Sequence, residues 1–133
     1  MYYFAFGPDL DKKAMAARCP GCRPRFSAVL PNYKLIFAGW SRQIKGGTAV
    51  IKRSTGDKVL GGVYEVSEKD IARLDAAEGC PGTSSRVKVN VFADSEEPIE
   101  AWTYVRTRPA EESRPSPEYL AEIQKGYRDW GLV

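Results

Sequence analysis

Residues 2–18 read Tyr2-Tyr3-Phe4-Ala5-Phe6-Gly7-Pro8-Asp9-Leu10-Asp11-Lys12-Lys13-Ala14-Met15-Ala16-Ala17-Arg18. The aromatic-rich run over 2–6 predicts a strand, and Gly7-Pro8 closes it with a tight turn. Asp9 then predicts an N-cap, because its side chain can accept hydrogen bonds from the first free backbone N–H groups of a helix. Lys12 to Ala17 are good helix formers, so a helix is expected over 10–18, ending where Cys19-Pro20-Gly21 interrupts it.

Four strand-length segments follow, over 26–30, 33–38, 47–52 and 59–66, bounded by Pro31-Asn32, Gly46-Gly47 and Thr55-Gly56-Asp57-Lys58. The last of these boundaries predicts a hairpin turn. Ser67-Glu68-Lys69-Asp70 has capping-box spacing, so a helix is expected from Glu68 to Ala77, with Gly79 ending it. Alternation of Val87, Val89 and Val91 with Lys88 and Asn90 predicts a strand over 86–93, and another is expected over 99–106. Ser116-Pro117-Glu118 opens a final helix, with Tyr119, Leu120, Ile123 and Tyr127 as its apolar stripe. The pattern predicts a single α+β domain over residues 1–133, mostly antiparallel and curled into a small β-barrel with flanking helices.

The chain has 133 residues, 43% hydrophobic and 28% charged, which is ordinary for a globular domain and excludes intrinsic disorder. Twenty basic and 17 acidic residues are interspersed, and the resulting net charge of +3 does not predict a nucleic-acid partner. No apolar run approaches the ~20 residues of a membrane span. The amino-terminal residues have none of the features of a secretory signal, so a cytoplasmic location is expected. With no histidine, the chain has neither a histidine-based metal site nor a catalytic triad of its own. Cys19-Pro20-Gly21-Cys22 has the form of a redox pair, but it follows a helix and lacks the helix N-terminus that would acidify a thiol. Together with Cys80 it makes only three of the four ligands of a structural zinc site, and no metal is expected.

One carboxylate stands on the wrong face. Ile71 and Leu74 define the inward stripe of the helix that Ser67 opens, and Glu78 lies seven residues after the first and four after the second. Glu78 is therefore expected to point inward from the last turn, where burial and the helix dipole both raise its pKa. Such a group can take and return a proton near neutral pH. The alternatives are a frayed, solvated helix end and a structural ion pair with Arg73 or Arg86.

Three separated segments carry a resemblance to a known family. Tyr3-Phe4-Ala5-Phe6-Gly7-Pro8-Asp9, Leu74-Asp75-Ala76-Ala77-Glu78-Gly79 and Arg114-Pro115-Ser116-Pro117-Glu118-Tyr119, in this order, resemble the gamma-glutamylcyclotransferase-like family. Similarity continues between them in Leu30-Pro31-Asn32-Tyr33-Lys34-Leu35, Gly46-Gly47-Thr48-Ala49 and Gly56 to Tyr64. The resemblance implies a small mixed barrel and an enzyme that cyclises a gamma-glutamyl group to 5-oxoproline, releasing an amine or amino acid. It also implies that Glu78 is the acid/base residue and that Tyr3, Phe4, Ala5, Phe6, Gly7, Pro8 and Asp9 hold the substrate head, with Tyr119 adding a hydroxyl hydrogen bond. No cofactor is implied, the partner is a small molecule bearing a gamma-glutamyl or similar carboxylate group, and the chain is expected as a monomer or homodimer.

The match has four departures. Phe6, Pro8 and Asp9 stand where the family has tyrosine, serine and asparagine, and a further family tyrosine falls at Ser85. The competing expectation is a binding module on the same fold that takes another small carboxylate or amine.

Overall fold

The computed structural model describes residues 1–133. Its elements in order are β1 (Tyr2–Ala5), a 3-10 turn (Pro8–Leu10), α1 (Lys12–Arg18), β2 (Arg23–Ser41), β3 (Gly46–Glu65), α2 (Glu68–Glu78), β4 (Ser84–Val91), β5 (Ile99–Arg106) and α3 (Pro117–Asp129). The five strands form one sheet in the order β2-β3-β1-β5-β4. β1 runs parallel to β5, and every other pairing is antiparallel. The α+β expectation therefore holds, but the barrel does not close. The outer strands meet at a single bridge, where Val29 and Phe92 exchange backbone hydrogen bonds of 2.8 and 2.9 Å. No helix is long and apolar enough to cross a membrane.

Side-chain alternation along β1 divides the interior. Tyr3 and Ala5 join Leu10, Met15, Tyr64, Ile71, Leu74 and Trp130 beneath the helices. Phe4 faces the opposite way, into the curl of the sheet with Leu30, Ile51, Val63, Val91 and Ala101.

The four central segments fuse into two long strands. Chain reversal occurs between Ser41 and Gly46 rather than at the expected turn over 55–58. Tyr33 pairs with Arg53 but Pro31 pairs with Lys58, so residues 54–57 bow out of β3 as a large bulge. Asn32, at φ 63°, accepts a 3.1 Å hydrogen bond from Gly56 N–H, and Gly56 sits at φ 90°. Glycine tolerates this left-handed backbone, so the turn chemistry is real but bends a strand instead of reversing the chain.

The predicted helix caps hold in two of three cases. Ser67 Oγ accepts from Asp70 N–H at 3.1 Å and Asp70 Oδ2 accepts from Ser67 N–H at 2.8 Å, completing a capping box. Gly79 takes the left-handed conformation just past Glu78, so α2 stays helical through that residue. Ser116 caps α3 through a 3.2 Å bond from Tyr119 N–H. At α1 the cap is Asp11, which accepts from Lys13 and Ala14 N–H, and Asp9 is left free for another role. In α3, Tyr119, Ile123 and Gly126 are turned inward, as is Trp130 just past its end, whereas Leu120 and Tyr127 are only half-buried. Gly126 lets the helix lie directly on the 3-10 turn, since a Cβ there would fall 2.5 Å from Leu10 Cβ.

Candidate active site

Glu78 ends α2 half-buried, and its carboxylate has no hydrogen-bond or ion-pair partner in the chain. Burial, reinforced by the charge of Asp9 and opposed by Arg18, raises its pKa from 4.5 to about 7. The two structural alternatives are absent. Arg86 is engaged by Asp75, with Nε 3.4 Å from Oδ1, and Arg73 is exposed without an ion pair. Capping by Gly79 keeps the last turn helical instead of frayed.

Glu78 lines a cavity of about 790 Å³, a size typical of small-molecule sites, which the loop after β1 lines as well. Tyr3 of β1 and Phe6, Gly7, Pro8 and Asp9 of that loop line the cavity, and so does Tyr119. Phe4 and Ala5 do not line it. Phe4 is turned into the curl of the sheet by strand alternation, and Ala5 is fully covered within the core beneath the helices.

Asp9 has become a buried acid held from two sides. Tyr3 donates to its Oδ2 at 2.7 Å, and Arg18 forms a close ion pair with its Oδ1. Tyr64 donates to its backbone carbonyl at 2.7 Å. The carboxylate is thus neutralised by protein groups and turned away from a role in repelling an anionic substrate. Its capping role passes to Asp11 because the 3-10 turn inserts Pro8–Leu10 before α1 begins.

Tyr119 Oη accepts from Ala49 N–H at 2.9 Å, leaving its own proton free to donate into the cavity. Burial raises the pKa of Tyr3, Tyr104 and Tyr119, and the charge of Glu78 adds to the shift in all three. The three phenols therefore surround the acid as neutral O–H groups. Tyr104 donates to Asp75 Oδ1 at 2.6 Å, which ties the cavity wall to α2.

Among the lining residues that escape the sequence reading are Tyr104, Arg106 and Arg18. Tyr104 and Arg106 share one face of β5 two residues apart, a relation that the predicted strand contains but that needs a known cavity to acquire meaning. Arg18 reaches Asp9 only because α1 folds back over the loop. Ser85, at the position of the missing family tyrosine, does not line the cavity and pairs with Thr107 Oγ1 at 3.2 Å; its neighbour Ser84 lines it instead. Cys19 and Cys22 are joined as a buried disulfide, with Cys19 Sγ 3.5 Å from Asp70 Oδ1. No cysteine lines the cavity.

Comparison with known proteins gives a consistent result. The sequence model of a family described as "Gamma-glutamyl cyclotransferase, AIG2-like" matches residues 3–128. Gamma-glutamylcyclotransferases of Mus musculus and Homo sapiens are each 31% identical over 135 residues, covering 98% of this chain and 71% of theirs. A solved structure named gamma-glutamyl cyclotransferase superposes with a TM-score of 0.94 at 30% identity, covering 99% of this chain and 80% of its own. A matched span of this length, on a fold that presents Glu78 to the loop after β1, places the chain in the gamma-glutamyl cyclotransferase, AIG2-like family.

Proposed function

We propose that the protein cyclises the gamma-glutamyl group of a small gamma-glutamyl amine or amino acid, with Glu78 as the acid/base residue. The observation that carries this reading is an unpaired, half-buried carboxyl with a pKa of about 7 facing the loop that ends β1. In the reaction the substrate's α-nitrogen attacks its own γ-carbonyl carbon, forming the lactam C–N bond of 5-oxoproline as the original amide C–N bond breaks. Glu78 takes a proton from the attacking nitrogen and delivers it to the departing one, so no proton is gained or lost overall. Nucleophile and electrophile belong to one molecule. The protein's contribution is to fold the substrate chain and move that proton.

Phe6, Gly7 and Pro8 form the wall that receives the glutamyl head, with Tyr119 donating its hydroxyl proton to it. Because Pro8 has no N–H, the loop has one donor fewer than a serine there would provide. Asp9 lines the cavity beside Phe6, Gly7 and Pro8, with both carboxylate oxygens engaged by protein groups. It holds Tyr3 and Arg18, and its charge keeps the Glu78 pKa high. A passive binding module would have no need of a carboxyl poised to change protonation near neutrality, and catalysis is the better reading. The setting proposed is the cytoplasm, for a monomer or homodimer, and 20 basic and 17 acidic residues intermixed along the chain speak against a nucleic-acid partner.

The test is 5-oxoproline release from a panel of gamma-glutamyl amines and amino acids, comparing the wild type with Glu78→Gln. Loss of about 10²–10⁴-fold in kcat is expected. Turnover in the variant equal to that of the wild type would remove Glu78 from the mechanism.

A further inference from the structure

Cys19 and Cys22 close the end of α1, and their sulfurs converge with a carboxylate from a distant part of the chain. Asp70 belongs to the first turn of α2, 51 residues after Cys19, yet its Oδ1 lies 3.5 Å from Cys19 Sγ. Both sulfurs and one carboxylate oxygen lie within 4.8 Å of one another, and all three residues are buried. Cys80, the remaining sulfur ligand of the chain, takes no part. It follows Gly79 beyond the other end of α2, roughly 15 Å along the helix from Asp70.

Asp70 is only 8% exposed and has no cationic partner. Its Oδ2 accepts from Ser67 N–H at 2.8 Å as half of the capping box. Cys19 Sγ is the sole hydrogen-bonding neighbour of Oδ1, and a disulfide sulfur carries no hydrogen to donate. A buried carboxylate oxygen without a donor is costly, so this one requires a thiol hydrogen or a cation. Gly21 makes room for it, since a Cβ there would fall 2.5 Å from Asp70 Oδ1 and 3.1 Å from its Cγ.

The donor set and its spacing suit zinc. Two cysteines separated by two residues supply a pair of thiolates from one turn, and Zn²⁺ accepts thiolate and carboxylate ligands together. With Zn–S of about 2.3 Å and Zn–O of about 2.0–2.2 Å, a tetrahedral ion holds sulfur and oxygen roughly 3.6 Å apart, close to the 3.5 Å between Cys19 and Asp70. Hard ions such as Mg²⁺ and Ca²⁺ disfavour the thiolates, and soft Cu(I) disfavours the carboxylate. Three anionic ligands leave one negative charge on the complex, at the N-terminus of α2 where the helix dipole favours it. In the cytoplasmic setting proposed above thiols are kept reduced, and this cysteine spacing there points to a metal or a redox site. Redox exchange is disfavoured because Cys19 is fully buried at the C-terminal end of its helix.

We propose that in the reduced chain Cys19, Cys22 and Asp70 bind one Zn²⁺ that fastens the end of α1 to the start of α2. The disulfide and the metal are alternative states of the same two sulfurs. A thiol reductant supplies two electrons and two protons to open the S–S bond, becoming a disulfide itself, and the cation then displaces both thiol protons. The fourth position falls to water on the side of the exposed Pro20-Gly21 turn. None of the three ligands lines the cavity, so the metal organises helices and takes no part in chemistry at Glu78.

The test reduces the full chain anaerobically, removes the reductant and titrates Zn²⁺ against a chromogenic chelator, with Co²⁺ as a spectroscopic probe of thiolate ligation. One equivalent should bind per chain, and Co²⁺ should show a thiolate charge-transfer band. Cys19→Ser and Cys22→Ser should each abolish stoichiometric binding. Asp70→Asn keeps an oxygen for Ser67 N–H and should weaken binding at least about tenfold, as loss of even an outer-shell contact does. Gly21→Ala should act in the same direction, and Cys80→Ser should change nothing.

A reduced wild type that does not bind one equivalent, or a Cys19–Cys22 bond that survives reduction, overturns the proposal. Binding that persists in the cysteine variants or depends on Cys80 does so too. Equal affinity in wild type and Asp70→Asn leaves a thiol pair without its carboxylate and also overturns it. If the cysteine variants do not fold, Asp70→Asn and Cys80→Ser, which leave Cys19 and Cys22 in place, decide.

Discussion

The Tyr3 hydroxyl donates a 2.7 Å hydrogen bond to Asp9 Oδ2, spanning the loop that faces Glu78 from one end to the other. It turns the one carboxylate in that loop inward, where Arg18 pairs with its other oxygen. Asp9 thereby acts on Glu78 through its field while lining the cavity beside Phe6, Gly7 and Pro8.

Replacing Glu78 by Gln should raise stability at alkaline pH while abolishing turnover. The pKa of Glu78 is about 7 in the folded protein against an ordinary 4.5, so the folded state binds the extra proton between these values. Relative stability is fully present below pH 4.5, is lost as pH rises through 7, and stays lost above it. Glu78→Gln avoids the loss, and discounting for partial exposure it should be about 1–3 kcal/mol more stable at pH 8.5. Urea denaturation at pH 4 and pH 8.5 checks this, and a stability difference independent of pH would contradict it.

The acid limb of kcat/KM should follow the same group. Only ionised Glu78 accepts the proton of the attacking amine, so activity should rise through about pH 7. Asp9→Asn removes a charge that raises this pKa and should move the limb to lower pH. Arg18→Gln removes one that lowers it and should move the limb to higher pH. A pH-rate profile for each variant decides, and shifts of the same sign would count against the arrangement.

Tyr119→Phe leaves the Ala49 N–H without its acceptor and removes the free phenolic proton from the cavity. About 1–2 kcal/mol of stability should be lost, together with roughly tenfold in kcat/KM. Thermal unfolding and steady-state kinetics measure the two effects separately.

Gly126→Ala places a methyl group 2.5 Å from Leu10 Cβ and 2.8 Å from the Asp11 nitrogen. Overpacking should outweigh the gain in helix propensity and cost about 1–3 kcal/mol net, readable as a lower denaturation midpoint. Because Leu10 and Asp11 follow Asp9 directly, a shift there should also weaken the Tyr3–Asp9 contact.

Much of the fold was legible because its signals are local. Ser67 and Ser116 announce helix starts through contacts three residues on, with Asp70 and with Tyr119 N–H, and both appear as expected. Spacing from Ile71 and Leu74 pointed to Glu78 for the same reason, and that residue is half-buried in the cavity lining. Thr55-Gly56-Asp57-Lys58 misled, since the same backbone angles that close a hairpin also form a bulge, and only the pairing of β2 along both sides of residues 54–57 distinguishes them. Asp9 misled similarly. Two aspartates, at 9 and 11, were available to cap one helix, and the inserted 3-10 turn selected the second.

By itself the sequence determined the kind of most elements, the family, and the alignment of Glu78 with Ile71 and Leu74 along α2, because each depends on neighbours within a few positions or on motifs in order along the chain. Tertiary structure alone decided that the sheet stays open apart from the Val29–Phe92 bridge, that Asp9 is neutralised by Tyr3 and Arg18, and that Arg106 is left without a partner in the cavity. These outcomes depend on strand register and on which charges meet across long separations in the chain. No short stretch of residues specifies either.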